Sequence, residues 1–158
     1  MGTAPHTFVF DRVDDMSRGT DRVAAIALLR RDGAALMQLR DDKPGLSHAN
    51  MWVLPGGHSE PDEPIESTAR REFLEETEYR LGDLHWLARF EDQPPDHPLF
   101  SVAVFWAVYD DVQPIVCHEG QALEFLKRED ADRYAVPDFL IRAWDLALGA
   151  ARQAGAIV

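Results

Sequence analysis

Three glutamates, Glu72, Glu75 and Glu76, are spaced so that they share one face of a helix. Residues three and four apart on a helix are surface neighbours, so the carboxylates would lie within about two turns of each other. Like charges this close repel, and a solvated helix gains nothing from the arrangement. A hard divalent cation removes the repulsion, and Mg²⁺ prefers oxygen ligands and keeps waters and substrate phosphates in its shell. The spacing therefore predicts metal-assisted chemistry on phosphates.

The charge of the chain restricts the partners that it can bind. It has 16 basic and 28 acidic side chains and a formal net charge of −12. This balance argues against nucleic acid and anionic membranes as partners, because binding to either depends on Lys and Arg. An anionic substrate must then meet a bound cation or a few placed basic residues. Arg40 and Lys43, at the end of a predicted strand and in the loop after it, are the candidates for contacts with substrate phosphates.

Cysteine usage and the N-terminal residues bear on the compartment. A single cysteine cannot form an intrachain disulfide, which suits a reducing compartment, and we interpret Cys117 as a small buried apolar side chain. The first ten residues lack a basic region followed by an apolar core. The longest apolar runs are shorter than the ~20 residues that span a bilayer. We therefore expect a cytoplasmic protein without a membrane partner.

The elements around the glutamates predict a layered α/β domain. Strands are expected over 22–31, 34–40, 51–54, 84–91, 100–109 and 122–126, and helices over 64–81 and 137–153. Asp32-Gly33 is the signal of a two-residue hairpin turn, and Gly56-Gly57 is interpreted as a turn. Together these elements predict a mixed β-sheet with two main helices, a layered α/β domain. Residues 1–20 are expected to form an N-terminal arm or edge strand, and residues 21–153 a single domain.

The segment from position 57 to position 79 resembles the signature of the Nudix family. That signature reads G-x5-E-x7-R-E-U-x-E-E-x-G-U, where U is a bulky aliphatic or aromatic residue. The matching residues are Gly57, Glu63, Arg71, Glu72, Phe73, Glu75, Glu76 and Tyr79. The order of predicted elements is also similar, so the resemblance implies a MutT-like hydrolase domain over residues 21–153. Its expected fold is the Nudix fold, a mixed β-sheet sandwiched between helices in α/β/α layers.

One position departs from the signature, because Glu78 stands where the family has a glycine. That glycine normally ends the helix in a left-handed conformation, which costs a residue with a Cβ roughly 1 kcal/mol. Gly82 is the next residue suited to that role. We therefore predict that the helix continues by about one turn, to Arg80 or Leu81.

The resemblance implies a metal site and its ligands. In the family, the glutamates that match Glu72, Glu75 and Glu76 bind Mg²⁺, with Mn²⁺ as an alternative. The backbone carbonyl that matches Gly56 often adds a ligand.

The resemblance also implies residues that support the metal site and a base. The family residues that match Glu63 and Arg71 form an ion pair that holds the loop with Gly57 against the helix. In MutT-like members, a glutamate in a Glu-Gly-Gln stretch binds metal or accepts a proton from the attacking water. Glu119 matches that glutamate, and Glu72 is the alternative base.

The implied reaction is hydrolysis of a diphosphate bond in a nucleoside diphosphate linked to X. Nucleoside triphosphates, nucleotide sugars and dinucleoside polyphosphates all remain open as substrates, and the short chain favours a small X. An aromatic platform for the base could come from Trp52, Trp86, Phe100 or Trp106, although most of these are expected in the core. The alternative function is a Nudix-fold nucleotide or sugar-nucleotide sensor without turnover, and many family members form homodimers.

Overall fold

The computed structural model describes residues 9–10 and 23–158. Its strands are β1 (Val9–Phe10), β2 (Val23–Leu29), β3 (Ala35–Leu39), β4 (Trp52–Val53), β5 (Gly56–His58), β6 (His85–Asp92), β7 (Phe100–Val108) and β8 (Ala122–Leu126). Its helices are α1 (Ile65–Thr77), a 3₁₀ helix (Arg128–Arg133) and α2 (Asp138–Gln153). The predicted elements are therefore present, with bounds that shift by a few residues.

Strand β2 lies in the middle of the sheet. Its sequence, VAAIALL, is apolar at every position, which is typical of a strand covered on both faces. It pairs in parallel with β7 along its whole length, and it pairs antiparallel with β5 near its start and β3 at its end. The strand order in the described chain is β1-β6-β7-β2-β3-β4, with β5 added to β2 and β8 added to β3.

The two α-helices cover opposite faces of this mixed sheet. Alternate residues of β2 belong to two separate cores: Ala25, Ala27 and Leu29 pack with α2, and Ala24, Ile26 and Leu28 pack with α1. Helix α1 contributes Ile65, Ala69 and Phe73, as its apolar stripe predicts, and α2 contributes the fully buried Trp144. The structure confirms the predicted α/β/α layers. Neither α-helix of the described chain combines the length and apolarity needed to cross a bilayer.

The hairpin between β2 and β3 has a three-residue loop instead of the predicted two-residue turn. The N–H of Arg30 donates to the carbonyl of Ala34 (2.7 Å), and the N–H of Gly33 donates to the carbonyl of Arg30 (2.8 Å). Gly33 takes a φ of +90°, which a residue with a Cβ rarely adopts. The Asp-Gly pair therefore indicated a hairpin correctly, but the loop includes one residue more.

Gly56 and Gly57 form strand β5, not the turn that the sequence suggested. Gly57 pairs with Ala24, and Gly56 pairs with Ala25. A Cβ at position 56 would overlap the carbonyl oxygen of Ala24. Only glycine therefore lets β5 approach β2 this closely.

Helix α1 ends at Thr77, so the prediction that it continues to Arg80 or Leu81 is wrong. Glu78 itself takes the left-handed conformation (φ 60°, ψ 10°), and its N–H donates to the carbonyl of Leu74 at 2.9 Å. This conformation costs a glutamate roughly 1 kcal/mol relative to glycine.

Burial of Tyr79 explains why the helix stops in spite of that cost. The Tyr79 side chain is 2% exposed, and its ring packs against the edge of Phe73 at a centroid distance of 6.0 Å. Its hydroxyl accepts the N–H of Asp110 (2.9 Å). Burying an aromatic side chain contributes about 1.5–3 kcal/mol, which outweighs the strain at Glu78.

Candidate active site

A cavity of about 540 Å³ lies where α1 and β5 meet the start of β2. Its polar lining in the described chain comes from Arg40, Ser47, His48, Gly56, Gly57, His58, Glu72, Glu76, His97 and Glu119. Its apolar lining includes Val53, Leu54, Phe100, Val102, Phe139 and Leu140. This volume is typical of sites for small molecules.

Glu72 is held against the backbone of β5. A Cβ on Gly57 would lie 2.5 Å from Cδ and 2.8 Å from Cγ of Glu72, so a side chain at position 57 would displace the Glu72 carboxylate. The glycine thus lets the carboxylate lie beside the strand and line the cavity. Its side chain is 19% exposed.

Glu76 is buried and faces another carboxyl group. It is 7% exposed and accepts the N–H of Gly56 at 3.2 Å. Burial, together with the hydrogen bond and the charge of Glu119, raises the pKa of Glu76 to about 9. Two carboxyl oxygens can share a hydrogen bond only if one carries a proton, so a positive charge between them would stabilise both in their ionised form.

The loop that carries Glu119 is fixed by backbone contacts on both sides. Towards α1, the N–H of His118 donates to the carbonyl of Glu76 (3.1 Å). Towards β3, the side chain of Gln38 donates to the carbonyl of Glu119 (3.0 Å). Gly120, with φ +83°, passes close to the carbonyl oxygen of Leu39, where a Cβ would be only 2.5 Å away. These contacts bring Glu119 to the cavity beside Glu76.

Cys117, which precedes this loop, is exposed, so the interpretation of a buried apolar side chain is wrong. Its Sγ lies 3.3 Å from the carbonyl oxygen of Glu119 and donates a weak hydrogen bond to it. His118 faces away towards Glu78, at 3.0 Å.

Arg71 and Glu63 form a bidentate ion pair beneath the segment that follows β5. Nε of Arg71 donates to Glu63 Oε2 (2.8 Å), and its Nη2 donates to Oε1 (2.9 Å). The hydroxyl of Thr68, which is fully buried, also donates to Glu63 (2.7 Å) and pairs with Ser59 (2.6 Å). The hydrogen bonds from Arg71 and Thr68 lower the pKa of Glu63 to about 2. Together these contacts fasten the segment after β5 to α1.

Arg71 also contacts two of the three glutamates that the sequence singled out. Its Nη1 donates to Glu72 (2.8 Å) and, at 3.5 Å, to Glu75, whose side chain is 59% exposed and does not line the cavity. Within residues 23–158, no three His, Cys, Asp or Glu side chains are grouped as a metal site. The structure therefore places Glu72 and Glu76 together at the cavity and Glu75 outside it.

The donor chemistry of the cavity nevertheless fits a hard cation. Glu72, Glu76 and Glu119 supply carboxylate oxygens, and Gly56 lies among them. Mg²⁺ and Mn²⁺ take oxygen ligands of this kind.

The two predicted phosphate contacts differ in position. Arg40 lines the cavity, and its Nε is buried without a hydrogen-bond partner in the described chain. A buried N–H without a partner is costly. Lys43 is 73% exposed, pairs with Asp41 at 3.6 Å and does not line the cavity.

The sequence motif did not predict the part of the cavity that contains His48. His48 lies in the loop after β3, and its Nε2 is 2.8 Å from Oδ2 of the buried Asp92 at the end of β6. These residues are 44 positions apart and belong to no short motif, so the sequence gives no local signal for their contact. Of the four aromatic residues considered for a base platform, Phe100 lines the cavity.

Comparison with known families identifies the segment that holds this site. A family model described as NUDIX domain matches residues 19–144. Two curated relatives are both named m7GpppN-mRNA hydrolase NUDT17. The one from Bos taurus is 38% identical over 72 residues, and the one from Danio rerio is 40% identical over 69 residues. Each match covers 44% of this chain and 24% or 23% of the relative, so the chain spans about a quarter of their length.

Solved structures show the same fold. The MutT protein from Methanosarcina mazei Go1 has a TM-score of 0.64 at 19% identity, covering 83% of this chain and 94% of that one. A C. elegans Ap4A hydrolase in a binary complex has a TM-score of 0.67 at 21% identity, covering 86% and 99%. The NUDIX domain of Shewanella oneidensis NrtR complexed with ADP ribose has a TM-score of 0.68 at 16% identity, covering 81% and 86%.

Proposed function

Because the chain belongs to the Nudix family, we propose that it hydrolyses a diphosphate bond in a nucleoside diphosphate linked to X. One observation carries the proposal: three carboxylates and Arg40 line the same cavity, and Nε of Arg40 is buried without a partner in the described chain. Carboxylates and a guanidinium at one site suit a substrate that brings both a divalent cation and phosphate oxygens.

The ion would be held by Glu72, Glu76 and the carbonyl of Gly56, with Glu119 beside them. Glu75 stays in the proposed set because its bond to Arg71 is long, at 3.5 Å, and a cation can compete for it. When bound, Mg²⁺ or Mn²⁺ would supply charge neutralisation at the phosphates and lower the pKa of a bound water.

The protein's own groups would position the reactants and move the proton. Glu119, fixed between α1 and β3, is the proposed general base, and Glu72 is the alternative. Arg40 would donate from its guanidinium to a phosphate oxygen. The Glu63–Arg71 pair would keep β5 and α1 in register, since positioning supplies much of the rate in phosphoryl transfer.

Two observations indicate the class of substrate: the size of the cavity and the names of the matched relatives. A volume of about 540 Å³ accommodates a nucleoside triphosphate or a nucleotide sugar better than a long polymer. The matched relatives are named as hydrolases of m7GpppN-mRNA, and one structural neighbour is complexed with ADP ribose. All of these molecules contain a diphosphate bridge attached to a nucleoside. A domain over residues 21–153, a homodimer and a cytoplasmic location remain predictions.

A panel of nucleoside triphosphates, nucleotide sugars and dinucleoside polyphosphates, each with Mg²⁺ or Mn²⁺, tests the proposal, with products identified by mass. We expect release of a nucleoside monophosphate from at least one substrate. Glu76→Gln and Glu75→Gln should each lower kcat by about 10²-fold or more, with unchanged far-UV circular dichroism. Full activity in both variants would refute the assignment of Glu75 and Glu76 as metal ligands.

A sensor without turnover is the second candidate, and the Arg71 contacts to Glu72 and Glu75 favour it, because they leave the carboxylates engaged within the protein. The same panel separates the two functions. Binding of a nucleotide without any product in Mg²⁺ or Mn²⁺ would identify a sensor.

A further inference from the structure

The end of the cavity away from the carboxylates of α1 is built differently. Phe100 and Val102 of β7 and Phe139 of α2 line it, together with His48. Asp92 and Phe100 are direct partners across β6 and β7, so their side chains lie on the same face of the sheet. This end thus combines an aromatic surface with one largely buried polar pair, and Ser47 and His97 also line the cavity.

The polar pair is held tightly. The His48 side chain is 15% exposed and that of Asp92 is 9% exposed, with 2.8 Å between Nε2 and Oδ2. The His48 ring also packs against Phe139 at a centroid distance of 6.0 Å. His48 has a φ of +53°, and a residue with a Cβ in this region is strained, which is commonest at functional sites.

The hydrogen bond to Asp92 determines which atom of His48 is available to a ligand. Nε2 donates this hydrogen bond when the Asp92 carboxylate accepts it. Nδ1 has no hydrogen-bond partner within the described chain. Because His48 lines the cavity, Nδ1 can bond to a ligand there.

We propose that His48, positioned by Asp92, together with Phe100 forms a subsite that reads the nucleobase of the substrate. Phe100 would stack on the face of the ring, and Nδ1 of His48 would bond to its polar edge. The ligand class is then a nucleoside phosphate, and base-free substrates such as sugar or alkyl diphosphates are disfavoured. This inference rests on the proposed function only in assuming that the ligand's phosphates lie at the carboxylate end.

Phosphate is a poorer occupant of this end of the cavity. The carboxylate of Asp92 would repel it, and the side chains of Phe100, Val102 and Phe139 donate no hydrogen bonds, although Ser47 and His97, which also line the cavity, can donate. A planar heteroaromatic ring suits both the apolar surface and Nδ1 of His48.

Calorimetric binding of non-hydrolysable ligands tests the subsite without relying on turnover. The probes are α,β-methylene analogues of ATP, GTP, CTP and UTP, and the matching analogue of ribose 5-triphosphate, which has no base. We expect the wild type to bind at least one nucleotide about 100-fold more tightly than the base-free ligand, since stacking on an aromatic ring and one hydrogen bond are each worth about ten-fold. His48→Phe should remove roughly ten-fold of this preference while the Kd of the base-free ligand stays unchanged.

Two further variants make the result decisive. His85→Phe makes the same change at a histidine outside the cavity, which stacks on Trp106 at 4.2 Å, and it should leave the preference intact. Phe100→Leu keeps an apolar side chain and should also lower the preference for nucleotides. If His48→Phe does not fold, Phe100→Leu tests the subsite in its place. A purely structural role for His48 would weaken both classes of ligand equally.

The outcomes separate this inference from the proposed function. No preference for nucleotides in the wild type, or an unchanged preference in both variants, overturns the base subsite even if the protein hydrolyses substrates. A His48-dependent preference in a protein that releases no product supports the subsite and rejects hydrolysis.

Discussion

Replacing Gly57 with alanine should damage the site while leaving the fold largely intact. The added methyl group would lie 2.5 Å from Cδ and 2.8 Å from Cγ of Glu72. Carbon atoms pack at ~3.5–4.0 Å, so the carboxylate must move by about 1 Å. The clashing atoms belong to the outer part of a flexible side chain, which can turn away at little cost in stability.

The expected effect on activity follows from that displacement. Glu72 is one of the proposed metal ligands and the alternative base, and a misplacement of 1 Å in an active site can cost about 10²-fold in rate. We therefore expect kcat of Gly57→Ala to fall by about 10²-fold with the best substrate of the panel. The free energy of unfolding should change by less than about 1 kcal/mol.

The neighbouring glycine provides a matched control. A methyl group at Gly56 would overlap the carbonyl oxygen of Ala24 and lie 2.8 Å from Cα of Ala25, and these backbone atoms cannot turn away. Gly56→Ala should therefore break the pairing of β5 with β2 and lower the free energy of unfolding by about 1–3 kcal/mol or more. Chemical denaturation measures both variants, and steady-state kinetics is run on whichever is folded.

The reasoning fails if Gly57→Ala keeps wild-type kcat, because Glu72 would then tolerate displacement. It also fails if Gly57→Ala is destabilised as much as Gly56→Ala, because the clash would then involve the fold instead of the site.

Two further predictions concern stability. Glu78→Gly should raise the free energy of unfolding by up to about 1 kcal/mol, because glycine adopts the left-handed conformation without strain, and the exposed contact with His118 contributes little. Thermal unfolding should show a rise in Tm of roughly 2–4 °C, and a lower Tm would contradict the assignment. The lowered pKa of Glu63 means that its ion pair with Arg71 stabilises the fold above its ordinary pKa of 4.5 and loses this effect as the pH falls towards about 2. The difference in Tm between wild type and Glu63→Gln should therefore shrink between pH 5 and pH 3, and a constant difference would count against the role of the pair.

Local spacing explains why much of α1 could be predicted. The apolar stripe of Ile65, Ala69 and Phe73 and the three glutamates depend only on the period of a helix, which is a short-range property. The end of the helix depends instead on where Tyr79 is buried, and its partner Asp110 comes from a distant strand end. A left-handed Glu78 could not be inferred from neighbouring residues alone.

Strand β5 was missed for a similar reason. Gly-Gly has low strand propensity and is typical of turns. What makes it a strand is close approach to Ala24 and Ala25, residues about thirty positions earlier in the chain. The same approach places the backbone of Gly57 against Glu72, so the geometry of the site depends on a pairing that composition conceals.

The two ends of the cavity differ in how far they are predictable. The carboxylate end is built mainly from one helix and the segment before it, so a single motif describes most of it. The other end brings together a loop, two strands and α2, and its central contact joins His48 to Asp92 across 44 positions. A sequence motif can therefore indicate the reaction, whereas the residues that contact the rest of the ligand can be identified only from the folded structure.

The carboxyl pair of Glu76 and Glu119 lines the cavity at a cost in folding stability, so stability alone does not explain its presence. Glu76 is almost fully buried beside Glu119, and burial raises its pKa to about 9, so its charged form is disfavoured in the fold. A glutamine could accept the N–H of Gly56 without introducing a charge. Buried groups that oppose stability are expected where function requires them, and here they line a cavity beside the orphaned Nε–H of Arg40. The polar groups of Glu63, Arg71 and Thr68 bond to one another, so the destabilising feature in this part of the molecule is the carboxyl pair at the cavity.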